Sequence, residues 1–505
     1  MTTDRKKLIP RLRGDAAVVA PRLAAFVLTV VLVSAYLMSQ IDDFGLIDVA
    51  PHFFIAIALQ LIPFVVRPTA DPFEPAGITA THNLLALVPA LTGFMVNQGV
   101  SITLLPHVSG RARIELVQTV LIAYSTGSIA YYLGYYQRLG IRFKALFPKV
   151  SGGEWDRSRL IVVSVVCFGL FIPAYAYFQI RVGASITDIT KLAAGKAVWR
   201  DDATMSWLMR AVGLGFIPCL LFITLNFPKF RWGRGLLTAG LLFVVGFLST
   251  RLGQRGTAIF FVINALIVIH YLGRRIPMSV LALVAFLLLV VSNVLGAYRS
   301  NPDQFTASGG GPTANLSATE TLVEHDDDRA RLAAMAVVFH FFPDRKDYLM
   351  GESWGPILTA PIPRWLWPEK VNLFVWRDTN MIPELIGARI PVPYLGLLYS
   401  NFSWVGVVLG MALWGLVQRG MYEWLLENRS DRSTVVLYSF VVVYFTPTML
   451  QLSGTIGFVL PLWVALRFMR KKVAAKKKGV AALPGMQGGG RPVALLPAAG
   501  EAAAE

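Results

Sequence analysis

Uncharged apolar runs of about twenty residues recur along this 505-residue chain and constrain its fold more than any other feature. A helix needs about 20 such residues to cross the hydrocarbon of a bilayer. Read with a window of that size, the sequence gives twelve spans, at approximately 22–39, 47–66, 84–105, 114–136, 159–180, 208–226, 235–250, 256–272, 278–298, 394–417, 434–450 and 455–469. The expected fold class is therefore all-α: a polytopic integral membrane protein of about 12 transmembrane helices with one large extracytoplasmic loop. Composition agrees, since 55% of residues are hydrophobic and only 15% charged, against roughly a quarter charged in a soluble domain. So few charges cannot cover so apolar a core, which excludes a soluble multidomain enzyme. Both cysteines, Cys167 and Cys219, lie inside apolar runs, so no disulfide framework or zinc site is expected.

Lys and Arg outnumber Asp and Glu by 47 to 30, a formal net charge of +17. In a membrane protein that surplus first anchors cytoplasmic loops, and no nucleic-acid partner is expected. The basic start (Arg5, Lys6, Lys7, Arg11, Arg13) precedes a first span too long for a signal peptide's apolar region, so it reads as an uncleaved anchor. With the Arg467–Lys478 cluster also cytoplasmic, the span count must be even. The clusters in loop 137–158, near Lys229/Arg231/Arg234, at Arg274/Arg275 and at Arg419/Arg429/Arg432 then fall on that same side. The expected organisation is a basic cytoplasmic N-terminus (1–21), nine spans (22–298), an extracytoplasmic loop (299–393), three spans (394–469) and a basic, then Gly/Pro/Ala-rich, disordered cytoplasmic tail (470–505). The chain is expected in the cytoplasmic (inner) membrane, with the bilayer itself as a partner.

Arg200, Arg210, Arg251 and Arg255 depart from this charge rule by facing outward, and the long outer loop is of a length usually tied to function. After the breaker Ser308-Gly309-Gly310-Gly311-Pro312, the run His325-Asp326-Asp327-Asp328 precedes a helix over Arg329–Phe342, which Pro343 ends. Most of its surface is apolar, so it either lies on the outer leaflet or packs against the bundle. Gly351-Glu352-Ser353-Trp354 follows. Four prolines within 356–368 then forbid a regular helix, and the tryptophans favour the membrane–water boundary. A rigid, aromatic, basic collar at headgroup level is the expectation.

Gly351-Glu352-Ser353, then Ile362-Pro363-Arg364-Trp365-Leu366-Trp367-Pro368-Glu369-Lys370, then Tyr399-Ser400-Asn401-Phe402-Ser403-Trp404-Val405-Gly406 resemble the Wzy-type polysaccharide polymerases, which join O-antigen or other oligosaccharide repeat units. The family pattern is a glycine-led turn, a Pro-Arg-x-x-Trp-Pro-x-Lys block and an Asn-Phe-Gly-Trp-x-Gly helix entry. Ser403 stands where that pattern has glycine. Ser249-Thr250-Arg251-Leu252-Gly253-Gln254-Arg255-Gly256 looks like the family's Arg-x-x-x-Arg-Gly turn. The close matches span about 250–410. The resemblance implies joining of polyprenyl-diphosphate-linked oligosaccharide units on the extracytoplasmic face, with a chain-length regulator protein as a partner by analogy.

An acceptor hydroxyl attacking the anomeric carbon would expel a lipid diphosphate, so the site needs fixed cations and a base. Arginine stays charged and grips phosphate through a planar fork. Arg251 and Arg255, four residues apart, would share a face on a helical turn, and Gly253 and Gly256 would let the backbone approach; ordinary snorkelling at a span end is the competing account. Arg364, Lys370 and Arg299 complete the diphosphate-binding candidates, while Arg377 and Arg389 could equally pair with local carboxylates. Candidates for the base are His325, Asp326, Asp327, Asp328 and His340. The Asp326–Asp328 run also suits a helix N-cap, and His340 also suits a packing role. Three carboxylates could hold Mg²⁺ or Ca²⁺ through water, but the arginines already serve the phosphates, so neither metal nor cofactor is assigned. Asn401 opens a span within a motif, where it orients a glycan or caps the helix; Trp365 and Trp367 are the collar's candidates for glycan contact. Intramembrane Asn97, Gln98, Asn226, Asn264, His270 and Asn293 read as interhelical bonds.

Two alternatives remain. An O-antigen ligase has about twelve spans and a similar outer loop, but the Pro-Arg-x-x-Trp-Pro-x-Lys block favours the polymerase. A flippase for the same lipid-linked sugar should show paired repeats and cations at mid-membrane depth.

Overall fold

The computed structural model describes residues 44–66, 71–96, 110–148, 154–182, 211–227, 232–251, 255–273, 327–354, 392–445 and 452–471, with isolated positions elsewhere. Among them the regular structure is helical: α1 (Phe44–Val66), α2 (Pro75–Val96), α3 (Gly110–Tyr136), α4 (Arg157–Val182), α5 (Phe216–Leu225), α6 (Trp232–Arg251), α7 (Arg255–Leu272), α8 (Asp327–Phe341), α9 (Tyr394–Asn428), α10 (Arg432–Tyr444) and α11 (Leu452–Met469). Five of these, α1, α3, α4, α6 and α9, are long and apolar enough to cross a membrane. The chain is helical and built for a bilayer. The spans expected at 22–39 and 278–298 fall mostly outside the described residues, as do most of the 470–505 tail and of the segments 299–326 and 355–391.

Two apolar cores organise the bundle. One gathers α1, α2, α3, α8 and the first half of α9, around Phe53, Tyr124, Val338 and Leu398. The other gathers α4, α5, α6, α7, α10, α11 and the last turns of α9, around Phe216, Phe261, Leu425 and Phe440. Helix α9 therefore belongs to both halves. It lies parallel to α3 at backbone distance. A Cβ on Gly134 would overlap the Ala412 carbonyl, and one on Gly415 would overlap the Tyr131 carbonyl. Helices in lipid associate largely through such close packing of small residues.

One end of the bundle gathers several basic loops. There, Trp424 Nε1 donates to Pro148 O, Lys144 pairs with Glu427, Arg432 donates to Phe227 O, and Arg159 donates to the Phe468 and Arg470 carbonyls. Loop 137–158, the α9–α10 turn and the end of α11 are thus gathered in one place, which is what the charge rule requires of loops that share a side.

Two expectations need correcting. The span expected at 84–105 is instead α2, which starts at Pro75, a residue suited to the first helical turn. Its polar first turns hide the span from a hydropathy window, yet Thr79 and Asn83 are buried and bonded within the bundle. The span expected to end at 417 continues to Asn428, because Gln418, Arg419 and Glu423 are satisfied inside. Of the two placements open to the apolar helix before Pro343, the structure shows the second: α8 packs against the bundle, with Leu332 through Phe339 buried.

Candidate functional site

The site begins with a break in α9. Phe402 (φ −139°, ψ 22°) and Ser403 (φ 57°, ψ −154°) leave helical geometry, so the carbonyls just before them are turned out of the ladder. Two amides from the segment after α8 take them: Leu349 N donates to Ser400 O (2.9 Å) and Met350 N to Asn401 O (3.1 Å). The Ser403 backbone lies in a region that glycine alone adopts freely. That gives a physical reason for glycine at this position in the pattern described above.

Asn401 then holds the turn by its side chain. Its Oδ1 accepts from Gly351 N and from Ser353 Oγ, both at 3.0 Å; its Nδ2 lies 2.7 Å from Ser353 Oγ and donates at 2.7 Å to Leu397 O. Asn401 is fully buried. Gly351 is at φ 95°, and a Cβ there would also press on the Phe402 ring, so glycine is required. Glu352 N closes a short 3-10 turn (Glu352–Trp354) on Leu349 O, and Trp354 stands edge-on to Phe402, centroids 6.0 Å apart. Beneath the turn, Tyr399 stacks on Phe339 at 3.9 Å, and Trp404 and Tyr348 complete an aromatic box.

This end of α9 lies far from a second polar centre. There, Asp71 Oδ2 accepts from Tyr271 Oη (2.6 Å) and Tyr422 Oη (3.2 Å), and Asp71 Oδ1 lies 3.5 Å from His270 Nε2. Glu74 accepts from Tyr135 Oη at 2.8 Å and sits 3.9 Å from Arg419, which also pairs with Glu423. A neutral ladder of Thr79, Tyr131 and Gln418, then Gln60, Asn83, Ser128 and Tyr132, runs on between α1, α2, α3 and α9.

Helix direction fixes what shares an end. From Arg255 to His270, α7 rises about 22 Å toward Asp71; from Trp404 to Tyr422, α9 rises about 27 Å toward the same residue. The α6–α7 turn, closed by Arg251 as the last residue of one helix and Arg255 as the first of the next, is therefore at the end of the bundle that holds the Asn401-clamped turn. The basic loops are at the other end.

Of the other candidates, His340 is half-buried in the last turn of α8 with its Nε2 shut away from solvent, and Trp367 is largely exposed beside exposed Leu366. His325, Asp326, Arg299, Arg364, Lys370 and Trp365 lie outside the described residues. For Asn401, the amide is engaged within the protein, so its present work is to shape the turn. Sequence reasoning missed Ser353 as its partner and missed the Asp71 centre. The i, i+4 spacing of Thr79 and Asn83 on one face of α2 was a signal available for the polar ladder that runs on from that centre. Among the described residues no group of three or more His, Cys, Asp or Glu side chains could hold a metal ion. No family model, curated protein or solved structure matches the chain.

Proposed function

We propose that this chain is a membrane-embedded glycosyltransferase that polymerises polyprenyl-diphosphate-linked oligosaccharide repeat units into a surface polysaccharide on the extracytoplasmic face of the cytoplasmic membrane. The observation that carries the reading is the shared end of the bundle. The Arg251/Arg255 turn and the clamped Gly351–Trp354 turn, two motifs nearly a hundred residues apart in sequence, come to the same end, opposite the basic loops.

In this reading the basic loops face the cytoplasm, so the motif end meets the outer headgroups. Arg251, Arg255, Arg364, Lys370 and Arg299 hold the donor diphosphate and stabilise charge as the lipid diphosphate departs. Trp365 and Trp367 offer flat apolar faces to sugar rings. Asn401 fixes the turn from which the collar extends. The inner ladder weighs against a flippase: its described members are neutral amides and hydroxyls bonded to one another, and Arg419, the nearby cation, is neutralised at the basic-loop end.

Deletion of the gene followed by sizing of the surface glycan tests this. Single-repeat glycans that still reach the surface are expected. Accumulation of the lipid-linked unit on the cytoplasmic side would point to a flippase instead, and uncapped lipid A-core with full-length lipid-linked polymer would point to a ligase.

A further inference from the structure

We infer that Glu352 is the general base that takes the acceptor hydroxyl's proton. The assignment rests on the polymerase reading and deepens it, by naming a group for a task left open between His325, Asp326, Asp327, Asp328 and His340.

A base must be exposed to the acceptor, free to accept a proton and held in place. Glu352 meets all three conditions. Its side chain is exposed, and among the described residues its carboxylate has no ion-pair or hydrogen-bond partner. Its backbone is fixed from both sides: Glu352 N donates to Leu349 O, while the flanking Gly351 N and Ser353 Oγ both bond to the buried Asn401 Oδ1. Met350 and Trp354, within two residues of Glu352 on the same turn, are also exposed, an apolar surface suited to headgroup depth.

The other described carboxylates near this end are less suited. Glu115 is paired with Arg111 at 3.0 Å, exposed Asp48 stands on α1 outside the clamped turn, and Asp344 and Asp347 precede that turn, on a stretch without its side-chain anchor. His340 Nε2 is enclosed.

The step balances without a further reactant. The acceptor oxygen forms a bond to the anomeric carbon as the bond from that carbon to the diphosphate oxygen breaks, and the electron pair leaves with the lipid diphosphate. The hydroxyl proton passes to the Glu352 carboxylate and then to water. Asn401 and Ser353 act through Glu352 and are positioning residues.

The test uses the purified full chain in liposomes, supplied with the lipid-linked repeat unit extracted from cells lacking this gene. Wild type, Glu352→Gln, Glu352→Asp and the control Asp347→Asn are compared for polymerisation rate against pH. We expect Glu352→Gln to lower kcat by about 10²- to 10⁴-fold and to remove the acidic limb of the pH profile, Glu352→Asp to restore part of both, and Asp347→Asn to match wild type. An active wild type with an equally active Glu352→Gln variant overturns the assignment and leaves the polymerase reading standing. A slowed variant that keeps the acidic limb also overturns it, because the glutamate would then be structural. A wild-type chain that polymerises nothing overturns the function and the assignment together.

Discussion

His270 Nε2 stands 3.5 Å from Asp71 Oδ1, and the two residues come from opposite halves of the bundle. Asp71 sits in the short connection between α1 and α2, which serve one apolar core, whereas His270 ends α7, which serves the other. Phe73, two residues on, is buried in His270's core, and Tyr438 Oη donates to its carbonyl at 2.6 Å. The connection 71–74 is thus a clasp between the halves, at the end with the basic loops.

Replacing Asp71 with Ala strips Tyr271 and Tyr422 of a shared acceptor and should destabilise the fold by roughly 1–3 kcal/mol. Asp71→Asn, which keeps one acceptor oxygen, should cost less. Thermal unfolding of the detergent-solubilised chain measures both. Equal midpoints for wild type and Asp71→Ala would contradict the clasp.

Arg419 lies between Glu74 and Glu423, with all three side chains largely buried. Arg419→Ala would leave two buried carboxylates without their cation, a change that typically costs about 3–5 kcal/mol. The folded yield on size exclusion should fall sharply. A double variant that also neutralises both carboxylates, Arg419→Met with Glu74→Gln and Glu423→Gln, should recover part of that loss. No recovery would mean the charge balance is not what Arg419 supplies.

Close approach of α3 and α9 predicts a difference among glycines. Gly134→Leu and Gly415→Val force the two backbones apart and should cost about 1–3 kcal/mol or more. Gly240→Ala, where a Cβ would meet nothing within 4 Å, should be neutral. Comparable midpoints for all three variants would contradict the packing.

Ser403 adopts a glycine backbone conformation in the kink that frees the Ser400 and Asn401 carbonyls. Ser403→Gly should therefore stabilise by about 1 kcal/mol, and Ser403→Val should destabilise by more than that. Unfolding midpoints decide the sign.

Asn401→Ala removes the bonds to Gly351 and Ser353, and Asn401→Asp keeps the acceptor while losing the donor. The prediction is a fall in kcat larger than any rise in KM for the alanine variant, with the aspartate variant closer to wild type. A pure rise in KM would instead favour direct glycan contact by Asn401.

Much of this architecture is legible in hydropathy alone. The spans read at 114–136, 159–180, 235–250 and 256–272 match α3, α4, α6 and α7 within a few residues, because their Lys, Arg, Asp and Glu side chains sit at the helix ends. The errors arise where polar side chains face inward. Thr79, Asn83 and Gln418 look like loop residues to a window that sees one helix at a time, yet in three dimensions Thr79 donates to Gln418 and Asn83 to Gln60. The same holds at the candidate site. The motif Asn401-Phe402-Ser403 marks the place, but its bond to Ser353, 48 residues away, depends on a kink that no local pattern reports.

The central claim is tested most directly by giving the purified chain, in sealed liposomes, a lipid-linked repeat unit on the motif-bearing side only, and by sizing the products. The account predicts a ladder spaced by one repeat unit, with one lipid diphosphate released per bond formed, and loss of the ladder in Arg251→Ala and Arg255→Ala without rescue by lysine. Intact units carried across the bilayer, with no ladder, would contradict it.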